Sequence, residues 1–122
     1  MLTTGVDIIE IERVADALRR WGPRFLDRVY TPAEAAYCRG RVRELAVRFA
    51  AKEAISKALG TGVWSKACIC WREMEILPDS DGRPVVHMHG RAAARAQQLG
   101  IREIAISLSH SDEYAVAFVV AQ

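Results

Sequence analysis

Four positions carry side chains that could act together on a phosphate. Asp7 ends the apolar run Gly5-Val6-Asp7-Ile8, Glu53 and Lys57 stand four apart in RFAAKEAISKALG (Arg48 to Gly60), and His110 follows Ser107-Leu108-Ser109. Two carboxylates from distant parts of a chain can hold Mg²⁺ by direct bonds, with phosphate oxygens and water completing the octahedron. A lysine one turn beyond the glutamate can neutralise a phosphate that such a metal bridges. Arginine and histidine nearby can hold a further phosphate. Taken together, the set points to chemistry at a pyrophosphate. Each member also has an ordinary reading: Asp7 as a helix cap, Glu53–Lys57 as a surface i,i+4 pair, His110 as a solvated side chain.

Positioning these groups requires a strand before Asp7 and a long helix under Glu53. Leu2 to Ile8 reads as a strand, and Ile11, Val14, Ala15 and Leu18 recur at helical spacing until Gly22-Pro23 stops them. A short helical piece, Phe25 to Tyr30, precedes Thr31-Pro32-Ala33-Glu34, which has the cap, first-turn proline and third-position acid of a helix start. The longest helix is expected from about Arg41 to Leu59, closed by Gly60 with Gly62 behind it. In it Val47, Ala51, Ala54, Ile55 and Ala58 form an apolar stripe, with Glu53, Ser56, Lys57 and Gly60 opposite. Beyond lie strands at Trp71–Leu77 and Val85–His89 joined by a turn, an alanine-rich helix from Arg91 to Leu99, and a hairpin of Ile104–Ser109 with Tyr114–Val120. The expected class is α+β, a mainly antiparallel sheet packed against a long central helix, in one domain spanning 1–122.

Composition narrows the function classes. With 122 residues, 51% apolar and 26% charged, the chain reads as one globular domain. No apolar run reaches membrane-spanning length and the N-terminus lacks a basic start, so the expected compartment is the cytoplasm. Three cysteines, Cys38, Cys68 and Cys70, argue against a secreted disulfide framework. The net charge of +2 is unevenly spread: Arg13 to Arg48 holds nine arginines against four carboxylates, a segment of +5. Charge so segregated fits an acidic partner or a solvated helix face.

Several motifs fail. The twelfth position from Asp79 is Gly90, where a calcium loop needs a bidentate glutamate. There is no P-loop and no GxGxxG. Cys68-Ile69-Cys70 has the wrong spacing for zinc, and His87 with His89 reads as an exposed or hydrogen-bonded pair.

GVDIIEIERV, RFAAKEAISKALGTG, DGRP and ISLSHSDEYAVAFV, in this order and spacing, closely resemble the holo-[acyl-carrier-protein] synthases, the small phosphopantetheinyl transferases. The resemblance runs from Gly5 to Val120. It implies transfer of the 4′-phosphopantetheine arm of coenzyme A to a serine of an apo acyl carrier protein, with release of adenosine 3′,5′-bisphosphate. By the same resemblance Asp7 and Glu53 match Mg²⁺ ligands, and Lys57 matches the lysine at the pyrophosphate. Arg48, Lys57, Gly60 and His110 fall at coenzyme A positions, with Arg48 and His110 at the 3′-phosphate and adenosine end. Arg13, Arg20, Arg24 and Arg28 match the carrier interface, with Arg13 and Arg20 on one helix face. Either Glu53, directly or through water on the metal, or His110 takes the serine proton.

Small members of that family are trimers with active sites at subunit boundaries. Tyr114 to Val120 is apolar on both faces, Val116, Phe118 and Val120 on one and Ala115, Ala117 and Val119 on the other, which fits burial against symmetry mates or inside the monomer. Two other classes stay open. A Mg²⁺-dependent nucleotide phosphohydrolase would use the same Asp, Glu and Lys without a carrier. A non-enzymatic RNA- or protein-binding module would need only the arginines, although the aromatic-rich basic stripe of strand-stacking RNA modules is missing.

Overall fold

A computed structural model of the chain describes residues 1–60 and 69–122. Strand β1 (Thr3–Glu10) leads directly into helix α1 (Ile11–Trp21), followed by α2 (Pro23–Val29), α3 (Pro32–Cys38) and α4 (Val42–Ala58). A 3₁₀ turn (Trp71–Glu73) opens β2 (Met74–Pro78), which returns as β3 (Pro84–Met88). Then come α5 (Gly90–Gln98), β4 (Ile104–His110) and β5 (Tyr114–Ala121). The α+β class is as expected, but the strands form two antiparallel sheets, β1-β5-β4 and β2-β3.

The helix starts follow local chemistry. Thr31 Oγ1 accepts the Glu34 amide at 3.1 Å and Glu34 Oε1 accepts the Thr31 amide at 3.0 Å, the reciprocal box that satisfies two otherwise orphaned donors. The strand expected from Trp71 begins three residues late. Glu73 folds back to accept the Cys70 amide at 2.7 Å and also accepts the Arg91 amide, which tightens 71–73 into 3₁₀ geometry.

Helix α4 is enclosed on nearly every side. The expected stripe of Val47, Ala51, Ala54, Ile55 and Ala58 is buried, and so are Arg48, Lys52 and Ser56. The side opposite the stripe is therefore no simple solvated face: Ser56 is buried, Glu53 half-buried, and only Lys57 and Gly60 are exposed. The inner residues of β5, Ala115, Ala117, Val119 and Ala121, are buried beneath it, small enough to let the helix lie close. Outside, Val6 (52% exposed) pairs with Phe118 (46%), and Ile8 (64%) pairs with Val116. These side chains form an apolar face that the rest of the described chain leaves largely exposed.

Candidate active site

Strand β1 is pressed onto α4. Thr3 Oγ1 donates to the Ala58 carbonyl at 2.8 Å, and Gly5 sits where the helix backbone leaves no space for a side chain. Asp7, two residues on, shares their face of the strand. It caps no helix, because α1 starts at Glu10 without any side-chain cap. Instead Asp7 Oδ1 accepts from Lys57 Nζ at 3.1 Å, and the same ammonium donates to the Val6 carbonyl at 2.9 Å. Glu53 stands one helical turn before Lys57; its carbonyl accepts from Ser56 Oγ at 3.0 Å, but its carboxylate has no hydrogen-bond partner among the described residues. Burial, then the nearby Asp7 carboxylate, push its carboxyl above the usual glutamate range, with Lys57 opposing.

Asp7 and Glu53 open into a chamber of about 420 Å³ whose walls include Arg13, Phe25, Phe49 and Trp71. The donor set suits Mg²⁺. Two carboxylates converge, one of them half-buried and unpartnered. Among the described residues no third acidic, His or Cys ligand joins them, which leaves coordination positions for phosphate and water. A cation bound there would supply charge neutralisation at a phosphoryl group.

The other expected residues lie apart from this chamber. Arg48 and His110 line a second cavity of about 340 Å³, with Glu44, Gly82 and Pro84, and the two cavities share no lining residue. Arg48 is buried: its guanidinium meets Glu44 Oε2 at 2.8 Å, donates through Nε to the Ile76 carbonyl at 3.1 Å, and lies 4.7 Å over the Tyr37 ring. Gly60 ends α4 at a φ of 70°, its amide bonded to the Lys57 carbonyl at 3.0 Å. On α1 and α2, Arg13, Arg20, Arg24 and Arg28 are exposed. Arg20 pairs with Asp16 at 3.1 Å, while Arg24 and Arg28 line a surface cavity with Trp21 and Phe25.

Sequence reasoning passed over the aromatic walls. Phe49 stacks on Trp71 at 4.7 Å between ring centres and on Phe25 at 6.4 Å. The available signal was spacing, since Phe49, Glu53 and Lys57 follow one another at four-residue steps on one side of α4. The pairs without expected chemistry stay quiet. His89 Nε2 lies 3.0 Å from Glu75 Oε1, and burial pushes the Cys38 thiol up to about 11. Cys70 is exposed, and Gly62 and Cys68 lie outside the described residues.

The chain matches the 4′-phosphopantetheinyl transferase superfamily over residues 3–119. It is 52% identical over 124 residues to a holo-[acyl-carrier-protein] synthase of Herpetosiphon aurantiacus, covering 98% of each chain. A second such synthase, from Dehalococcoides mccartyi, is 52% identical over 122 residues, covering 100% of this chain and 99% of the other. Among solved structures, the Helicobacter pylori synthase in complex with coenzyme A superposes with a TM-score of 0.88 at 28% identity, covering 98% of this chain and 99% of that one. The Chronobacterium ammoniagenes synthase–coenzyme A complex gives 0.86 at 34% identity, covering 100% and 97%. A single family accounts for the sequence and the fold: the chain belongs to the holo-[acyl-carrier-protein] synthases of the 4′-phosphopantetheinyl transferase superfamily.

Proposed function

We propose that this chain, as one domain over 1–122, transfers the 4′-phosphopantetheine arm of coenzyme A to a serine of an apo acyl carrier protein. Adenosine 3′,5′-bisphosphate is the leaving product. The observation that carries this reading is the convergence of Asp7 and an unpartnered, half-buried Glu53 on one chamber, with the Lys57 ammonium bonded to Asp7. Asp7 and Glu53 would hold Mg²⁺, which would supply charge neutralisation at the pyrophosphate.

The residues of the chain do the rest. Lys57, already oriented by Asp7 and the Val6 carbonyl, meets the negative charge that builds on the pyrophosphate oxygens as the bond breaks. The serine oxygen bonds to the β-phosphorus, the bond from that phosphorus to the bridging oxygen breaks, and the bisphosphate departs with the electron pair. Glu53 takes the serine proton, directly or through a water. Arg48, Gly60 and His110 contact coenzyme A, Arg48 and His110 at its phosphorylated adenosine end. Arg13, Arg20, Arg24 and Arg28 dock the acidic carrier.

The working assembly is a homotrimer with active sites at subunit boundaries. The largely exposed apolar face of β1 and β5 supports this, because a patch of that kind on a soluble chain marks a contact surface. Separation of the Arg48–His110 cavity from the Asp7–Glu53 chamber supports it further: neighbouring subunits bring one cavity of each kind together across a boundary. The proposed compartment is the cytoplasm; among the described residues no helix is long and apolar enough to cross a membrane.

Mass spectrometry of an apo carrier after incubation with coenzyme A and Mg²⁺ tests the reading. A gain of one phosphopantetheine is expected. Cleavage of coenzyme A without any carrier present would favour a phosphohydrolase instead.

A further inference from the structure

Next to Glu53, helix α4 carries a charged residue that the transfer chemistry does not use. The Lys52 side chain is completely buried, and so is that of Glu34. An ammonium has three donors, and all three are placed: on Glu34 Oε1 at 2.7 Å, the Met74 carbonyl at 2.7 Å and the Trp71 carbonyl at 3.0 Å. Glu34 also accepts the Thr31 amide at 3.0 Å and, through its other oxygen, the Ile76 amide at 2.9 Å. A buried pair of this sort is not self-evidently stabilising, since apolar residues of equal volume often serve as well. Its main-chain acceptors are what set it apart. Trp71 and Met74 begin and follow the 3₁₀ turn that leads into β2. The Trp71 indole stacks on Phe49, and both rings wall the chamber that holds Asp7 and Glu53.

We propose that Lys52 is a positioning residue. Its hydrogen bonds to the Trp71 and Met74 carbonyls, with the third on Glu34, hold the two ends of the turn, so that the indole closes the apolar wall of the chamber against Phe49, one helical turn from Glu53. The consequence for turnover rests on the transferase reading; the geometry does not. Lys52 lies in the core, behind that wall, and meets it through the Trp71 carbonyl. Methionine at position 52 fills a similar volume with no donor, which leaves Trp71 held by its ring stack and turn alone.

Two measurements test this on the full chain. In a Trp21→Phe, Trp64→Phe background Trp71 is the remaining tryptophan, and its emission reports the wall without any turnover. Lys52→Met is expected to shift that emission to longer wavelength and to raise its quenching by acrylamide. The second measurement is a double-mutant cycle in kcat/KM for coenzyme A. Lys52→Met and Trp71→Ala are each expected to lower it by about tenfold, as misplacement of a binding wall does. Combined, they should lose no more than either alone, because both act through one indole. Losses that multiply, or a folded Lys52→Met protein with parental emission and kcat/KM, would overturn the proposal.

Should Lys52→Met fail to fold, Lys52→Arg keeps the charge opposite Glu34, while its planar fork cannot copy a three-way ammonium. The same emission shift is expected there, and unchanged emission would count against the proposal. A parent protein that transfers nothing would defeat the transferase reading, whereas the emission would still judge Lys52.

Discussion

Lys57 and Glu53 stand one turn apart on α4, yet the Lys57 ammonium turns to Asp7, 3.1 Å away across the strand–helix boundary, and to the Val6 carbonyl at 2.9 Å. An ordinary i,i+4 surface pair would have satisfied Glu53. Its absence leaves one carboxylate engaged and one open, as a cation and a phosphate would require. Glu53→Gln and Asp7→Asn are therefore expected to lower kcat/KM by on the order of 100-fold or more while keeping the fold. Transfer assays over a Mg²⁺ titration check this, with circular dichroism as the folding control. Full activity of either variant at low Mg²⁺ would refute the ligand assignment.

The same arrangement sets a pH dependence of stability. Burial and then Asp7 raise the Glu53 carboxyl pKa. A carboxyl with a folded pKa above its unfolded value binds its proton more tightly when folded. Its contribution to stability is present at low pH and is lost as pH rises through the folded value. Without metal, Glu53→Gln is expected to melt above the parent at pH 7, and the two should converge below about pH 4. Added Mg²⁺ should reverse the order at pH 7 by binding only the parent. Identical melting curves across this range would show that Glu53 is not strained.

Close approach of β1 to α4 makes the site possible. A methyl group at residue 5 would fall 1.9 Å from the Ala54 carbonyl oxygen and 3.1 Å from the Ala58 amide nitrogen, both rigid helix backbone. Gly5→Ala must push the strand off the helix and carry Asp7 away from Lys57. Overpacking of this kind costs about 2 kcal/mol or more, a fall in melting temperature of roughly 10 °C. Activity should fall further than melting explains when assayed well below the transition. Parental activity in Gly5→Ala would mean that the spacing of Asp7 and Lys57 is not critical.

How far the sequence carries the reader depends on the range of each interaction. The Thr31–Glu34 box, the Gly60 stop and the Asp7, Glu53, Lys57 set are legible, because each is local or rests on residue types that chemistry demands. Lys52 is not. It lies between Ala51 and Glu53 in a run of good helix formers, and its partner Glu34 has a local role that already explains it. The strand expected from Trp71 fails for the same reason: its alternating pattern is overridden by Lys52 and Glu73, which hold the chain in a turn.

The arginine segment divides on the structure. Arg13 lies on the chamber wall with Asp7, whereas Arg20, Arg24 and Arg28 stand out in solvent toward the end of α1 and along α2. Arg13→Glu and Arg20→Glu are expected to lower kcat/KM for the carrier by on the order of tenfold, mainly through association, with far less effect on coenzyme A binding. The Arg20 loss should shrink as salt rises, because the charge is exposed. Stopped-flow rates at two ionic strengths and calorimetry of coenzyme A binding separate the two effects. Equal losses for both substrates would move the docking surface elsewhere.

Assembly is the remaining test. Val6, Ile8, Val116, Phe118 and Val120 share the outer face of β1 and β5, in a register that pairs Val6 with Phe118 and Ile8 with Val116. Among the described residues Val6, Ile8 and Phe118 are left exposed and Val116 and Val120 half-buried. A closed threefold arrangement would bury that face and set the Asp7–Glu53 chamber of one subunit beside the Arg48–His110 cavity of the next. Sedimentation equilibrium is expected to give three chains per particle. The sharper experiment mixes two inactive proteins, Asp7→Asn and His110→Ala, after subunit exchange. His110 is preferable to Arg48 as the second position, because it is exposed, whereas removing Arg48 would strand Glu44 and the Ile76 carbonyl. If each site draws Asp7 from one chain and His110 from another, mixed trimers contain some sites with both residues intact, and activity returns. If each site lies within one chain, every site in the mixture keeps one lesion and activity stays at the level of the single variants. A monomeric mass with full transfer activity would end the shared-site proposal.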